Sequence, residues 1–146
     1  MDKLLEIINK FPDQRIGIIG DLMLDRYLTC EVKRISQEAP VPIAKILEER
    51  YVLGGAANVA ANVCSMGGSA EVLGLIGSDS NGDLLQKMLQ ETGIEFGLSF
   101  IAPRPTTIKT RLVANGQQVV RIDRETSEEI SKGEEERILK RLPSFM

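Results

Sequence analysis

The chain of 146 residues has the length of one ordinary domain, and an apolar content of 42% is enough to build a core. Its 18 basic and 21 acidic side chains are interspersed and leave a net charge of −3, which argues against a phosphate-backbone binder and so against a nucleic-acid partner. There is no histidine, which excludes Ser-His-Asp and Cys-His nucleophile activation, and Cys30 and Cys64 are too few and too separated for a disulfide framework or a zinc site.

The first residues, MDKLLEIINKFPDQR, mix acids and bases where a signal peptide needs an apolar run, and no window reaches the roughly 20 apolar residues of a membrane span. A cytoplasmic protein with free thiols and no membrane partner is expected. Leu4, Leu5, Ile8 and Phe11 recur at helical spacing after Asp2, and Pro12 closes the pattern, which predicts a short leading helix over 2–11. Arg15–Gly20, RIGIIG, reads as a strand buried on both faces of a parallel sheet, with Asp21 at its carboxyl end. From Tyr27 to Leu53 the stretches are short, charged and β-prone. Pro40 and Pro42 exclude a central strand there and predict an edge or protruding sheet.

GGAANVAANVCSMGG predicts a tight turn and then a helix packed closely through Ala56, Ala57, Ala60 and Ala61, ended by Gly67 and Gly68. A second buried strand is expected over 70–77. A helix follows over 78–93, with Leu84, Leu85, Met88 and Leu89 as its apolar stripe and Gly93 as its cap. Phe96–Ala102 reads as a third strand. Asn115-Gly116 between TTIKTRLV and QQVVRIDR then predicts a hairpin, because both central positions of its turn need positive φ. Ser127–Leu142 reads as a charged helix with Ile130, Ile138, Leu139 and Leu142 on its apolar face, stopped by Pro143, and the Glu-rich run 125–136 reads as solvated surface. Only about three core strands are present, so the parallel sheet looks unfinished and suggests a truncated or obligately assembled chain.

Several residues invite a chemical reading beside a structural one. Gly54-Gly55 ahead of a helix lets backbone approach a ligand, or is a flexible turn; Asn58 in the first turn binds, or starts the helix. Asp21 and Asp25, in GDLMLDRY, follow a strand where ligands of open α/β sheets gather, or are turn aspartates. Arg34, Lys109, Arg111 and Arg121 can capture an anion, or line the solvated face of a two-stranded sheet. Neither a Walker A pattern nor GxGxxG occurs.

GGAANVAANVCSMGGSAEVLGLIG, residues 54–77, resembles the first signature of the PfkB carbohydrate kinases, with the diglycine, Asn58, Ala60, Gly67 and Gly77 at its spacing. Within that family GDLMLDRY, RISQEAPVP and TTIKTRLVANGQQVVRIDRE are similar to the heptose 7-phosphate kinases. The resemblance implies an α/β, Rossmann-like ribokinase fold with a small β lid, truncated to its amino-terminal half. Its core would comprise 1–27, 54–106 and 124–146, and its lid strands 28–53 and 107–123. It also implies that Asp21, Gly54, Gly55 and Asn58 bind the sugar. Asp25, Arg34, Lys109, Arg111 and Arg121 are further candidates, the basic ones toward a substrate phosphate. A homodimer through the lid is implied, together with ATP and Mg2+ serving the complete enzyme. The family's GAGD-type second signature, which carries the catalytic aspartate, is not found, so the chain by itself is expected to be inactive and to bind neither ATP nor Mg2+.

Overall fold

The architecture, taken from a computed structural model that describes residues 2–96 and 100–145, is α/β with two small parallel sheets and one four-stranded mixed sheet. Helix α1 (Asp2–Ile8) and a 3-10 turn (Phe11–Asp13) lead into β1 (Arg15–Ile19). Strands β2 (Leu22–Ile35) and β3 (Pro42–Gly55) form a long antiparallel hairpin, and α2 (Ala56–Ser65) leads to β4 (Ser69–Leu73) and β5 (Leu75–Gly77). After α3 (Ser80–Glu91) come β6 (Phe100–Ala102), the hairpin β7 (Thr107–Ala114) and β8 (Gln117–Arg124), and α4 (Lys132–Phe145). Strands β1 and β4 pair in parallel, as do β5 and β6, while the large sheet runs β3-β2-β7-β8 with β2 and β7 parallel.

The core forms where helices built from small or striped residues meet the strands. Ala57 and Ala60 of α2 are fully buried, because their small side chains let the helix lie close to β1, β3 and β4. Leu85 and Leu89 of α3, one helical turn apart, are also fully buried and join Leu24, Leu53, Val72, Ile76, Ile94 and Ile108 in one cluster. Asn115 and Gly116 adopt φ of 51° and 77°, as the Asn-Gly turn requires. Pro42 opens β3, which among the described residues pairs only with β2 and lies at the sheet edge.

Several expectations need correction. Strand β1 is parallel but not buried on both faces: Ile16 and Ile19 are 42% and 56% exposed, because burial of a strand face requires a helix packed over it. The leading helix ends at Ile8, with Leu4, Leu5, Ile7 and Ile8 all exposed. The strand expected over 70–77 is interrupted at Gly74, where the Gly20 carbonyl and the Leu22 side chain come too close for a Cβ. Among the described residues the third strand covers Phe100–Ala102, and Gly97–Ser99 of that expectation lie outside them. Helix α4 begins at Lys132 rather than Ser127 because Ser131 caps it. The Ser131 hydroxyl accepts the Glu134 amide at 3.3 Å and the Glu134 carboxylate accepts the Ser131 amide at 2.7 Å. Glu134 is thus buried within the acidic run read as solvated, and these Ser131 bonds lower its pKa. Pro143 does not stop the helix but sits inside its last turn.

Candidate functional site

The start of β2 is tied to two elements at once. The Gly20 amide donates to the Leu73 carbonyl at 3.2 Å, and the Ala56 amide, first in α2, donates to the Asp21 carbonyl at 2.9 Å. Asp21 therefore stands exposed at the carboxyl end of β1, as its sequence position implies, beside the turn that starts α2. Gly55 forms that turn with φ 55° and ψ −132°, a conformation open to glycine, and a Cβ there would strike the Asp21 carbonyl oxygen. A cavity of about 180 Å³ opens here, lined by Asp21, Gly20, Gly74, Thr106, Thr107 and Ile138 among others.

Strand alternation and register place a band of charged residues on one face of the four-stranded sheet. Asp25 lies opposite Lys109 and Lys109 opposite Asp123; in the next row Arg50, Tyr27, Arg111 and Arg121 follow one another across β3, β2, β7 and β8. Gly54 belongs to the same face, where a Cβ would come within 3.1 Å of the Asp25 carboxylate.

The Asp25, Lys109, Arg111, Arg121 and Asp123 charges of this band are mutually paired. Arg111 donates to the Asp25 carboxylate, both side chains being four-fifths buried, and its guanidinium also stacks 5.4 Å from the Tyr27 ring centre, with Arg50 at 5.2 Å. The Asp25 bond, against the opposing effect of burial, raises the Arg111 pKa and keeps the group cationic. Lys109 donates to Glu125 at 2.9 Å and Asp123 at 3.3 Å; the Glu125 bond first, then Asp123, raises its pKa against desolvation. Arg121 donates through Nε to Asp123 at 3.0 Å. Desolvation pushes the Asp123 carboxyl up, but Arg121 and Lys109 outweigh it and lower its pKa. Such a band presents carboxylates that accept from hydroxyls and guanidinium groups that donate to hydroxyls or to an anion.

The fold brings Asp25, Lys109, Arg111 and Arg121 onto one face, with Gly54 at its edge and Gly55 and Asp21 at its base. Asn58 is exposed on the first turn of α2, its carbonyl accepting from Asn62 at 2.9 Å. Arg34 lies apart, opposite Ile43 at the far end of the hairpin and, at strand rise, roughly 40 Å along β2 from Asp21. It shares a surface hollow with Lys33 and Lys45. Sequence reasoning missed Tyr27, Arg50 and Asp123. The period of two in Asp25-x-Tyr27 and Arg121-x-Asp123 could have signalled two of them, whereas Arg50 depends on the β2–β3 register. Among the described residues no group of three His, Cys, Asp or Glu could hold a metal ion, and no helix is long and apolar enough to cross a membrane.

The family model described as "pfkB family carbohydrate kinase" matches residues 13–145. The chain is 45% identical over 117 residues to the bifunctional protein HldE of Magnetococcus marinus, covering 80% of this chain and 24% of that protein. It is 40% identical over 121 residues to the D-beta-D-heptose 7-phosphate kinase of Bordetella bronchiseptica, covering 80% of this chain and 39% of the other. The chain thus spans between about a quarter and two-fifths of the length of these curated relatives. Among solved structures, Arabidopsis thaliana ribokinase complexed with ribose and ATP aligns at a TM-score of 0.58 with 18% identity, over 74% of this chain and 35% of that one. That likeness shows the ribokinase fold.

Proposed function

The chain belongs to the pfkB family of carbohydrate kinases, and on that premise we propose that it forms the sugar-binding half of a kinase acting on D-glycero-D-manno-heptose 7-phosphate. The complete enzyme would phosphorylate the C1 hydroxyl to the 1,7-bisphosphate, a step toward ADP-heptose and the lipopolysaccharide core, in the cytoplasm. The substrate assignment is supported by the relative at 40% identity that is named D-beta-D-heptose 7-phosphate kinase.

The observation that carries the reading is the Asp25–Arg111 pair beside the Gly54-Gly55 turn, because it sets a hydroxyl acceptor and a permanent cation on one partly buried surface. In this reading Asp21 and Asp25 accept from sugar hydroxyls, Asn58 hydrogen-bonds the sugar, and the Gly54 and Gly55 backbone lies against it. Lys109, Arg111 and Arg121 face the phosphate, exchanging part of their carboxylate pairing for it. Residues 28–53 and 107–123 act as the lid and the rest as core.

Phosphoryl transfer requires positioned phosphates, charge neutralisation by metal and a base at the attacking hydroxyl. The described residues offer no acidic cluster for magnesium, and the sequence neither a Walker A nor a GxGxxG motif. ATP and Mg2+ would serve the complete enzyme, and the chain alone would turn over no ATP. The opposite sheet face exposes Ile46, Val120 and Ile122, which supports self-association through the lid.

Calorimetric titration of the chain tests the assignment. Heptose 7-phosphate should bind at least about tenfold more tightly than heptose or fructose 6-phosphate, and Arg111→Met should remove most of that margin. Equal affinity for all three sugars would defeat the heptose assignment, and no binding at all would defeat the sugar-binding reading.

A further inference from the structure

Asp79 makes more bonds than a helix cap needs. Its Oδ1 accepts the Gly82 amide at 3.0 Å, which caps α3. The same Oδ1 also accepts the Thr106 hydroxyl at 2.6 Å, and Oδ2 accepts the Thr106 amide at 3.1 Å, while Arg124 at the end of β8 stands 4.0 Å from Oδ2. The Thr106 hydroxyl in turn accepts the Gly77 amide at 3.0 Å, and Thr106 is 1% exposed. One carboxylate thereby joins the end of β5, the start of α3 and the residue immediately before β7.

The packing around this group is closed to side chains. A Cβ on Gly77 would strike the Arg104 carbonyl and the Thr106 amide, and one on Gly82 would strike the Gly77 carbonyl and approach the Thr106 hydroxyl at 3.1 Å. At another connection β3 joins α2 through Gly55 at φ 55°, where the Ala56 amide donates to the Asp21 carbonyl at 2.9 Å and no side chain caps the helix.

We propose that Asp79 and Thr106 are a positioning pair: they clasp the root of β7 to the core and so fix Lys109 and Arg111, three and five residues further on, relative to Asp21 and the Gly54-Gly55 turn. The proposal rests on the sugar-phosphate reading for its consequence but not for its geometry. Neither residue touches the sugar; they act through β7.

Hydrogen exchange by mass spectrometry on the full chain, with calorimetric binding of heptose 7-phosphate, provides the test. Thr106→Val, which deletes the hydroxyl at nearly constant shape, should speed exchange of the amides of 107–112 about tenfold while α2 stays within about twofold. It should also weaken heptose 7-phosphate binding about tenfold. Thr106→Ser, which keeps the hydroxyl, should restore both. If Thr106→Val does not fold, Asp79→Asn replaces it, since the amide still caps α3 but cannot accept at both atoms; the same β7-selective exchange is expected. Equal acceleration in α2 and β7, no acceleration, or Thr106→Ser behaving like Thr106→Val would overturn the clasp. If the wild-type chain binds no sugar phosphate, the functional reading falls while the exchange result still decides the clasp.

Discussion

Replacing Gly55 with alanine should cost about 2–4 kcal/mol, and the structure says where the loss arises. A side chain at φ 55°, ψ −132° leaves the allowed regions for L residues, a strain of about 1–3 kcal/mol. The new Cβ also meets the Asp21 carbonyl oxygen, which already accepts the Ala56 amide at 2.9 Å, so relief of the clash breaks a hydrogen bond worth about 1 kcal/mol. Gly116→Ala provides the control: its φ is 77°, but nothing lies within 4 Å of its Cβ, so only backbone strain is added. Urea unfolding followed by circular dichroism should show Gly55→Ala destabilised by at least about 1 kcal/mol more than Gly116→Ala, a difference equivalent to roughly 2–4 °C in melting temperature. Equal losses in the two variants would refute the claim that the Asp21 carbonyl seals this turn.

Further outcomes follow from the core and from charge. Leu85→Ala, at a fully buried α3 position packed in the central cluster, should destabilise by about 2–5 kcal/mol in the same assay; a loss under about 1 kcal/mol would mean that the α3 face is not packed as described. Burial raises the Asp79 pKa, but the Thr106 hydroxyl, the Gly82 and Thr106 amides and Arg124 outweigh it, leaving the value lowered. Its contribution to stability is therefore complete above the unfolded-state pKa of about 3.9 and is lost as pH falls through the lower folded value. Comparison of wild type with Asp79→Asn should show a stability gap at pH 7 that closes on acidification below about pH 4; a gap constant down to pH 3 would contradict the assigned bonds.

Much of the helical layout was legible because helices announce themselves locally. The alanines of α2 and the Leu85–Leu89 spacing of α3 lie within one segment each, so periodicity alone identifies the buried face. The Asn115-Gly116 hairpin was equally local, since its turn demands positive φ at adjacent positions. The start of α4 was misread although its capping box, Ser131 to Glu134, was there to be found. The exposure of β1 was not legible at all: RIGIIG has the composition of a strand covered on both sides, but burial depends on which elements pack over its two faces.

The candidate site divides along the same line. By itself the sequence determined the turn chemistry, Gly54-Gly55 before α2 and Asp21 after β1, because glycine at a strained turn and a carboxylate after a strand are local requirements. Only the tertiary structure decided that Asp25 pairs with Arg111 across 86 residues, that Arg50 and Tyr27 join the same band, and that Arg34 stands apart from it. The reason is register: in a sheet a one-residue shift moves every side chain to the opposite face, and nothing within a single strand records which neighbour it will meet.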